Sequence, residues 1–396
     1  MNKLDFNSPI RNQVLSLPEL VDIQLERSLC KDKLQSVISI AEIFDARKII
    51  LTGCGDSYAA AAVMAPVLQK YCDVFNCTVM DAMEFCRFTT KEDIGIGEPN
   101  SPLVLVVSAG GSTSRICEAL EKAKQVGAFP ILITNKAESK AASVAKRVYF
   151  QDTPPMENDF PGLRSYFASL IGLASVALRM GHVRGVLPPT AEQEWKAAIS
   201  GYVHSYEGVL EQIDDQMFEL AKTWKNFERF DFIGDGSELY SALFGLEKFY
   251  ECTGVTGVYD DTENWCHINY FIRDPETVGT VIMADKNSPS FGRTVETIAS
   301  AQRIGRPVLV VTNADKSEFT EGVTVCTLPG TPEGFEWLMP MMDYVPVALL
   351  ASYCCTLAGR KYFNAYDPFT NVYDRSGKFF NADTLTMSSS KIEIYD

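Results

Sequence analysis

Short apolar runs alternate along this chain with longer stretches of helical periodicity. Lys48-Ile-Ile-Leu-Thr52, Cys77-Thr-Val-Met80, Leu103-Val-Leu-Val-Val107, Phe129-Pro-Ile-Leu-Ile-Thr134 and Arg147-Val-Tyr-Phe150 are each four to six residues long and rich in β-branched side chains. Runs this short and this continuous suit strands buried on both faces. The pattern therefore predicts an α/β fold, a parallel sheet covered by helices on both sides, with any ligand at the carboxyl ends of the strands. Before it, Leu17-Pro-Glu-Leu-Val-Asp-Ile-Gln-Leu opens an amphipathic helix with Pro18 in its first turn, part of an N-terminal arm over residues 1–45.

The second half repeats the first. Phe230-Asp-Phe-Ile-Gly-Asp-Gly-Ser-Glu-Leu-Tyr mirrors Ile49-Ile-Leu-Thr-Gly-Cys-Gly-Asp-Ser-Tyr, and Arg303-Ile-Gly-Arg-Pro-Val-Leu-Val-Val-Thr-Asn313 mirrors Gln125-Val-Gly-Ala-Phe-Pro-Ile-Leu-Ile-Thr-Asn135. Two features in one order at similar separation imply duplication of a whole domain. The expected organisation is two doubly wound, flavodoxin-like domains in tandem, 46–185 and 228–360. A helical connector over 186–227 joins them, its aromatics serving as packing residues, and a tail over 361–396 closes the site.

Chemistry concentrates at two strand ends in the first copy. Ser108-Ala109-Gly110-Gly111-Ser112-Thr113 joins an apolar strand to a helix start, so backbone N–H groups, the helix dipole and several hydroxyls share one concavity suited to a phosphate dianion. Gly53-Cys54-Gly55 makes a similar turn. It lacks the third glycine and the downstream acid of a dinucleotide site, so no Rossmann enzyme is inferred. In the second copy Ala284-Asp-Lys-Asn-Ser-Pro-Ser290 replaces the hydroxyl-rich loop, which leaves the first copy with the better phosphate cradle.

Net charge narrows the partners. At −15 over 396 residues the surface argues against nucleic acid or an anionic membrane. The N-terminus has no secretory pattern, and no apolar stretch reads as long enough to span a bilayer, so a cytoplasmic protein is expected. Eleven cysteines without a Cys-x-x-Cys pair read as reduced core thiols, and three scattered histidines (182, 204 and 267) offer no metal cluster.

Gly53-Cys-Gly-Asp-Ser-Tyr58, Ser108-Ala-Gly-Gly-Ser-Thr113, the duplication and Leu243-Phe-Gly-Leu-Glu-Lys-Phe-Tyr-Glu251 together resemble the double sugar isomerase (SIS) domain family. That family includes the isomerase half of glutamine:fructose-6-phosphate amidotransferase, fructosamine 6-phosphate deglycases and sugar-phosphate deaminases. The resemblance implies a phosphate site at Ser108, Gly110, Ser112 and Thr113 with the backbone of Ala109 and Gly111, and Ser57 on the phosphate or a sugar hydroxyl. Relatives read Ser-x-Ser-Gly-Glu-Thr here, so Gly110 and Ser112 depart from the pattern. By the same resemblance Glu251 is the general base between C1 and C2, His267 opens the ring and Lys248 polarises or positions an oxygen. Lys378, with Arg375 as alternative, would hold the open-chain sugar. Glu157, Arg164 and Ser165 fall where relatives contact sugar. A homodimer is implied, with the histidine donated across its interface, and no metal or organic cofactor.

The chemistry agrees with these residue types, because moving a carbonyl between adjacent carbons needs a carboxylate base and a group shuttling a proton near neutral pH. Plainer roles exist: a solvated helix-end Glu251, a His267 packed near Trp265 and Tyr270, an exposed Lys248 pairing with Glu247 or Glu251. With no room before residue 48 for a glutaminase domain, hexosamine synthesis from glutamine is not expected of this polypeptide alone. The expected function is deglycation or deamination of a 6-phosphorylated ketosamine or aldosamine. Plain aldose–ketose isomerisation and a non-catalytic sugar-phosphate sensor are the alternatives.

Overall fold

The computed structural model describes residues 2–95, 102–377 and 387–395. The chain divides into two compact units, one built from Glu19–Met156, Arg164–Ser200 and Ala382–Asp396, the other from Met1–Pro18, Glu157–Leu163 and Gly201–Asn381. The first contains the hydroxyl-rich loop and is the first-copy unit; the other is the second-copy unit.

All five expected strands form in the first-copy unit: β1 (Lys48–Gly53), β2 (Asn76–Asp81), β3 (Leu103–Val107), β4 (Phe129–Thr134) and β5 (Val148–Phe150). They pair in parallel in the order β2-β1-β3-β4-β5. The second-copy unit holds β6 (Arg229–Ile233), β7 (Thr256–Asp260), β8 (Val278–Ala284), β9 (Val308–Thr312) and β10 (Thr324–Thr327), ordered β10-β9-β8-β6-β7 and again parallel. Counted from the first strand of each copy, the two orders are the same, so the repeat seen in sequence is a repeat of topology. In each sheet the order reverses direction between the first and third strands, and the loops leaving those two strand ends flank a crevice.

The Gly-x-Gly turns are imposed by packing. A Cβ on Gly53 would lie 2.9 Å from the backbone of Ser57 and Tyr58, and one on Gly234 would lie 2.4 Å and 2.5 Å from the backbone of Glu238. Each strand end therefore touches the first turn of its helix, Asp56–Tyr71 or Ser237–Thr253, closer than any side chain permits. Gly55 and Gly236 turn the chain at φ 52° and 62°, which L-residues rarely adopt. One turn is thus built twice.

Two segments overturn the expectation about membrane-length stretches. Arg164–Val183 and Glu336–Leu357 are long and apolar enough to cross a bilayer by length and composition, yet 89% and 100% of their apolar windows are buried in protein. A helix apolar on every side belongs in a core when other elements cover it, and Arg164–Val183 packs on Asp56–Tyr71 while Tyr344–Leu357 packs on Leu210–Trp224 and Ser237–Thr253. The connector forms two helices, Ala191–Ser205 and Leu210–Trp224, around a short turn at Tyr206–Gly208. Its Trp195, Tyr202 and Tyr206 are buried, so its aromatics pack as expected.

These contacts predict an ordered pair of losses. Gly234→Ala is expected to destabilise the protein by about 1–3 kcal/mol or more through backbone overlap, and Gly236→Ala by about 1–2 kcal/mol through its left-handed φ alone. Chemical denaturation reads both; an unchanged midpoint for Gly234→Ala would refute the close approach.

Candidate functional site

The hydroxyl-rich loop is pinned from below by β4. Ser108 N–H donates to Ile133 O at 3.0 Å, while Ala109 O accepts from Asn135 N–H at 3.1 Å and Thr134 Oγ1 at 3.2 Å. Gly111 sits at φ 60°, its N–H on Ser108 Oγ at 3.2 Å and its carbonyl on Ala141 N–H at 2.8 Å. A Cβ there would fall 2.2 Å from Ser139 Oγ, whereas one on Gly110 would meet nothing within 4 Å. Gly111 is therefore demanded by the backbone and Gly110 is not. Ser57, in the first turn after Gly55, accepts the Ala109 N–H at 3.4 Å and joins the two loops at the crevice of this sheet. Thr113 occupies the N-cap of helix Ser114–Gln125 without a side-chain capping bond, and Ser112 is exposed. The loop thus presents hydroxyls and a helix N-terminus together, the equipment for holding an anion.

The polar end of the chain is docked on this unit. Met387 O accepts the Ser114 N–H at 2.7 Å, and Lys140 Nζ donates to both Ser388 O (2.8 Å) and Ser114 Oγ (3.1 Å). Glu118 is completely buried; it accepts from Arg87 Nε at 2.6 Å and from Glu393 N–H at 2.8 Å, and it pairs with Arg115 at 2.7 Å. Glu393 pairs with Lys391 and Arg87 and hydrogen-bonds Tyr395, which together pull its carboxyl down to about 2.

In the second-copy unit, Lys248 and Glu251 lie one turn apart on helix Ser237–Thr253. The Lys248 side chain is wholly buried, its ammonium 4.7 Å from the Phe244 ring centroid and paired with Glu251, whose own side chain remains 28% exposed. The exposed helix lysine considered above is therefore excluded, and the Glu251 pairing is present. The carboxylate thus has a buried ammonium on one side and solvent on the other. The helix stops at Gly254, φ 68°, and Glu251 O receives the Phe363 N–H at 2.7 Å.

His267 ends the short helix Thr262–His267 and is not packed. Its side chain is 69% exposed, with Nε2 3.0 Å from Glu263, which Arg293 also contacts at 2.8 Å. The packed neighbour is Trp265, buried with its indole N–H on Asp231 at 2.7 Å and its ring edge-on to Tyr270.

Other expected contacts separate. Arg164 is buried in the first-copy unit, with Nη2 donating to Pro154 O at 3.2 Å. Glu157 is exposed and belongs to the second-copy unit. Ser165 lies inside helix Arg164–Val183, its carbonyl taking the Ser169 hydroxyl. Lys378 lies outside the described residues. Arg375 stacks 4.5 Å from the Tyr373 ring. Desolvation, with Asp81 nearby, raises the thiol of the solvent-exposed Cys54 to about 11. At the second-copy position equivalent to Ser108, just after β8, stands Asp285, which accepts from Asn313 Nδ2 at 2.7 Å and Asn287 N–H at 3.0 Å.

Two parallel sheets of one topology, the first with an anion-holding loop at its switch point, define a tandem protein of the doubly wound α/β class. Residues 42–178 match the SIS domain model. The first copy is a SIS domain, the second repeats its topology, and the resemblance read from the sequence is borne out. The glutamine–fructose-6-phosphate aminotransferase (isomerizing) of Thermococcus kodakarensis is 25% identical over 321 residues, 80% of this chain and 50% of that protein. The chain thus spans about half the length of the curated relatives it matches. Among solved structures, the C-terminal domain of glucosamine-fructose-6-phosphate aminotransferase from Francisella tularensis superposes with TM-score 0.76 at 17% identity, covering 90% of this chain and 98% of that one. Tagatose-6-phosphate ketose/aldose isomerase from Escherichia coli gives 0.71 at 14%, covering 90% and 95%.

The loop geometry separates two neighbouring glycines. Gly110→Ser is expected to fold normally and keep a glucose 6-phosphate-dependent rise in melting temperature, while Gly111→Ala loses about 1–3 kcal/mol of stability and that rise with it. A ligand shift undiminished in Gly111→Ala would contradict the cradle.

Proposed function

We propose that this chain processes a 6-phosphorylated ketosamine or aldosamine, with the first-copy loop holding the phosphate and Glu251 transferring a proton between C1 and C2. The observation that carries the reading is the Lys248–Glu251 pair, a buried ammonium behind a partly open carboxylate. A ketosamine that loses a C1 proton to Glu251 and regains one at C2 becomes an imine, and water then releases the amine and leaves an aldose phosphate. Isomerisation of a plain phosphosugar needs the same base and ends before any amine departs. The fold is shared with a structure titled glucosamine-6-phosphate deaminase from Thermotoga maritima, TM-score 0.64 at 14% identity, as well as with the ketose/aldose isomerase above.

His267 is the proposed proton shuttle for ring opening. Its side chain stands outward beside exposed Ile268 and Phe271, which supports a homodimer in which the histidine serves the site of a second copy. Ligand identity is carried by the phosphate, and neither metal nor organic cofactor is invoked for the proton transfer. Eleven unpaired cysteines suit a reducing, cytoplasmic setting.

Glu251→Gln is expected to lower turnover of a fructosamine 6-phosphate or glucosamine 6-phosphate by about 10²–10⁴-fold. Phosphate-dependent thermal stabilisation should remain intact. Release of amine distinguishes cleavage from isomerisation; full activity in Glu251→Gln would remove the proposed base.

A further inference from the structure

The docked end of the chain meets the hydroxyl-rich loop at the start of the loop's own helix. Helix Ser114–Gln125 begins at N-cap Thr113, which makes no side-chain capping bond, so a first-turn N–H has to find its acceptor elsewhere. Ser114 N–H finds it in Met387 O at 2.7 Å. Two cations beside the helix start are engaged by the same segment. Lys140 Nζ donates to Ser388 O at 2.8 Å while lying 3.1 Å from Ser114 Oγ, and the Arg115 guanidinium donates to Lys391 O. Backbone oxygens of 387–395 thus sit on the donors that surround the helix N-terminus.

A carbonyl oxygen there does in part what an anion does. It brings the negative end of a dipole to the positive end of the helix macrodipole, whereas a phosphate brings a full charge to the same place and gains more from the same donors. A phosphate drawing on Ser114 N–H and the Met387 carbonyl compete for one proton. Keeping both in place would also set carbonyl oxygens beside a dianion.

The segment is attached in a way that lets it leave. Met387 is 77% exposed, and Ile392 and Tyr395 are exposed as well, so polar contacts rather than apolar burial hold it. They are Glu393 with Arg87 at 3.0 Å, Glu393 N–H on Glu118 at 2.8 Å, and the Tyr395 ring 4.9 Å from the Arg87 guanidinium. Contacts of this kind near solvent are singly weak and are screened by salt. Departure strands no buried charge, because Glu118 keeps Arg87 at 2.6 Å and Arg115 at 2.7 Å when the Glu393 N–H is gone.

We propose that residues 387–395 are an autoinhibitory strap, which occupies the helix start behind the phosphate loop and has to detach before a phosphate-bearing ligand binds there. The inference rests on the reading of that loop as a phosphate cradle.

The test titrates inorganic phosphate and glucose 6-phosphate by calorimetry into the full chain, into the chain lacking 387–396, and into the full chain carrying Glu393→Lys, which sets a cation against Arg87. Chloride holds the ionic strength constant. Binding is expected to be about tenfold tighter without the segment and about threefold tighter with Glu393→Lys, as when the cradle is open in about one-tenth of the full chain and about three-tenths of the variant. Hydrogen exchange on the unaltered chain reads the same event without any variant. Glu393 N–H, protected on Glu118 in the free protein, should exchange faster as phosphate saturates. Equal or weaker binding by the folded variants, or unchanged protection of Glu393 at saturating phosphate, would overturn the strap and leave the cradle standing. No binding by any of the three chains would overturn the cradle, and the strap with it.

Discussion

Each sheet places two strand ends beside a crevice because its strand order reverses between its first and third strands. The feature that makes this crevice narrow and reproducible is the contact of a strand-end glycine with the backbone of the following helix, 2.9 Å from a notional Cβ at Gly53 and 2.4 Å at Gly234. Helix Asp56–Tyr71 or Ser237–Thr253 is thereby seated with its first turn over the strand, and the residue four after the glycine, Ser57 or Glu238, is delivered to the crevice.

The same scaffold then serves opposite electrostatics. In the first copy neutral hydroxyls and a helix N-terminus favour an anion. In the second, acids occupy the matching positions, and the Lys248–Glu251 pair lies toward the C-terminal end of helix Ser237–Thr253. Burying the lysine fixes the glutamate: a flexible ammonium at the surface would be hydrated and mobile, whereas one enclosed beside Phe244 has Glu251 as its ionic partner.

Much of this was legible in the sequence because central parallel strands are apolar on both faces, and β1, β3, β4 and β9 announce themselves. The edge strand β7 is largely exposed and β10 only partly buried, and neither carries such a run. Glu251, Lys248 and the loop were found by motif, but the burial of Lys248 was not, since a helix lysine ordinarily faces water. The hydrogen bond from Arg164 to the Pro154 carbonyl, ten residues away, was not legible in the sequence. The docked tail was invisible because its partners Arg87, Arg115, Glu118 and Lys140 lie far away in sequence. Membrane-length apolarity in Arg164–Val183 reflects a helix surrounded by its own unit.

Proton transfer at Glu251 is the claim on which the functional reading rests, and hydrogen exchange observes it even when the natural substrate is a different sugar phosphate. Fructose 6-phosphate and glucosamine 6-phosphate would each be incubated with the protein in D₂O and followed by proton NMR at C1 and C2. The account predicts deuterium incorporation with wild type, none with Glu251→Gln, and none with the unphosphorylated sugars. Absence of exchange with wild type, or equal exchange with Glu251→Gln, would contradict it.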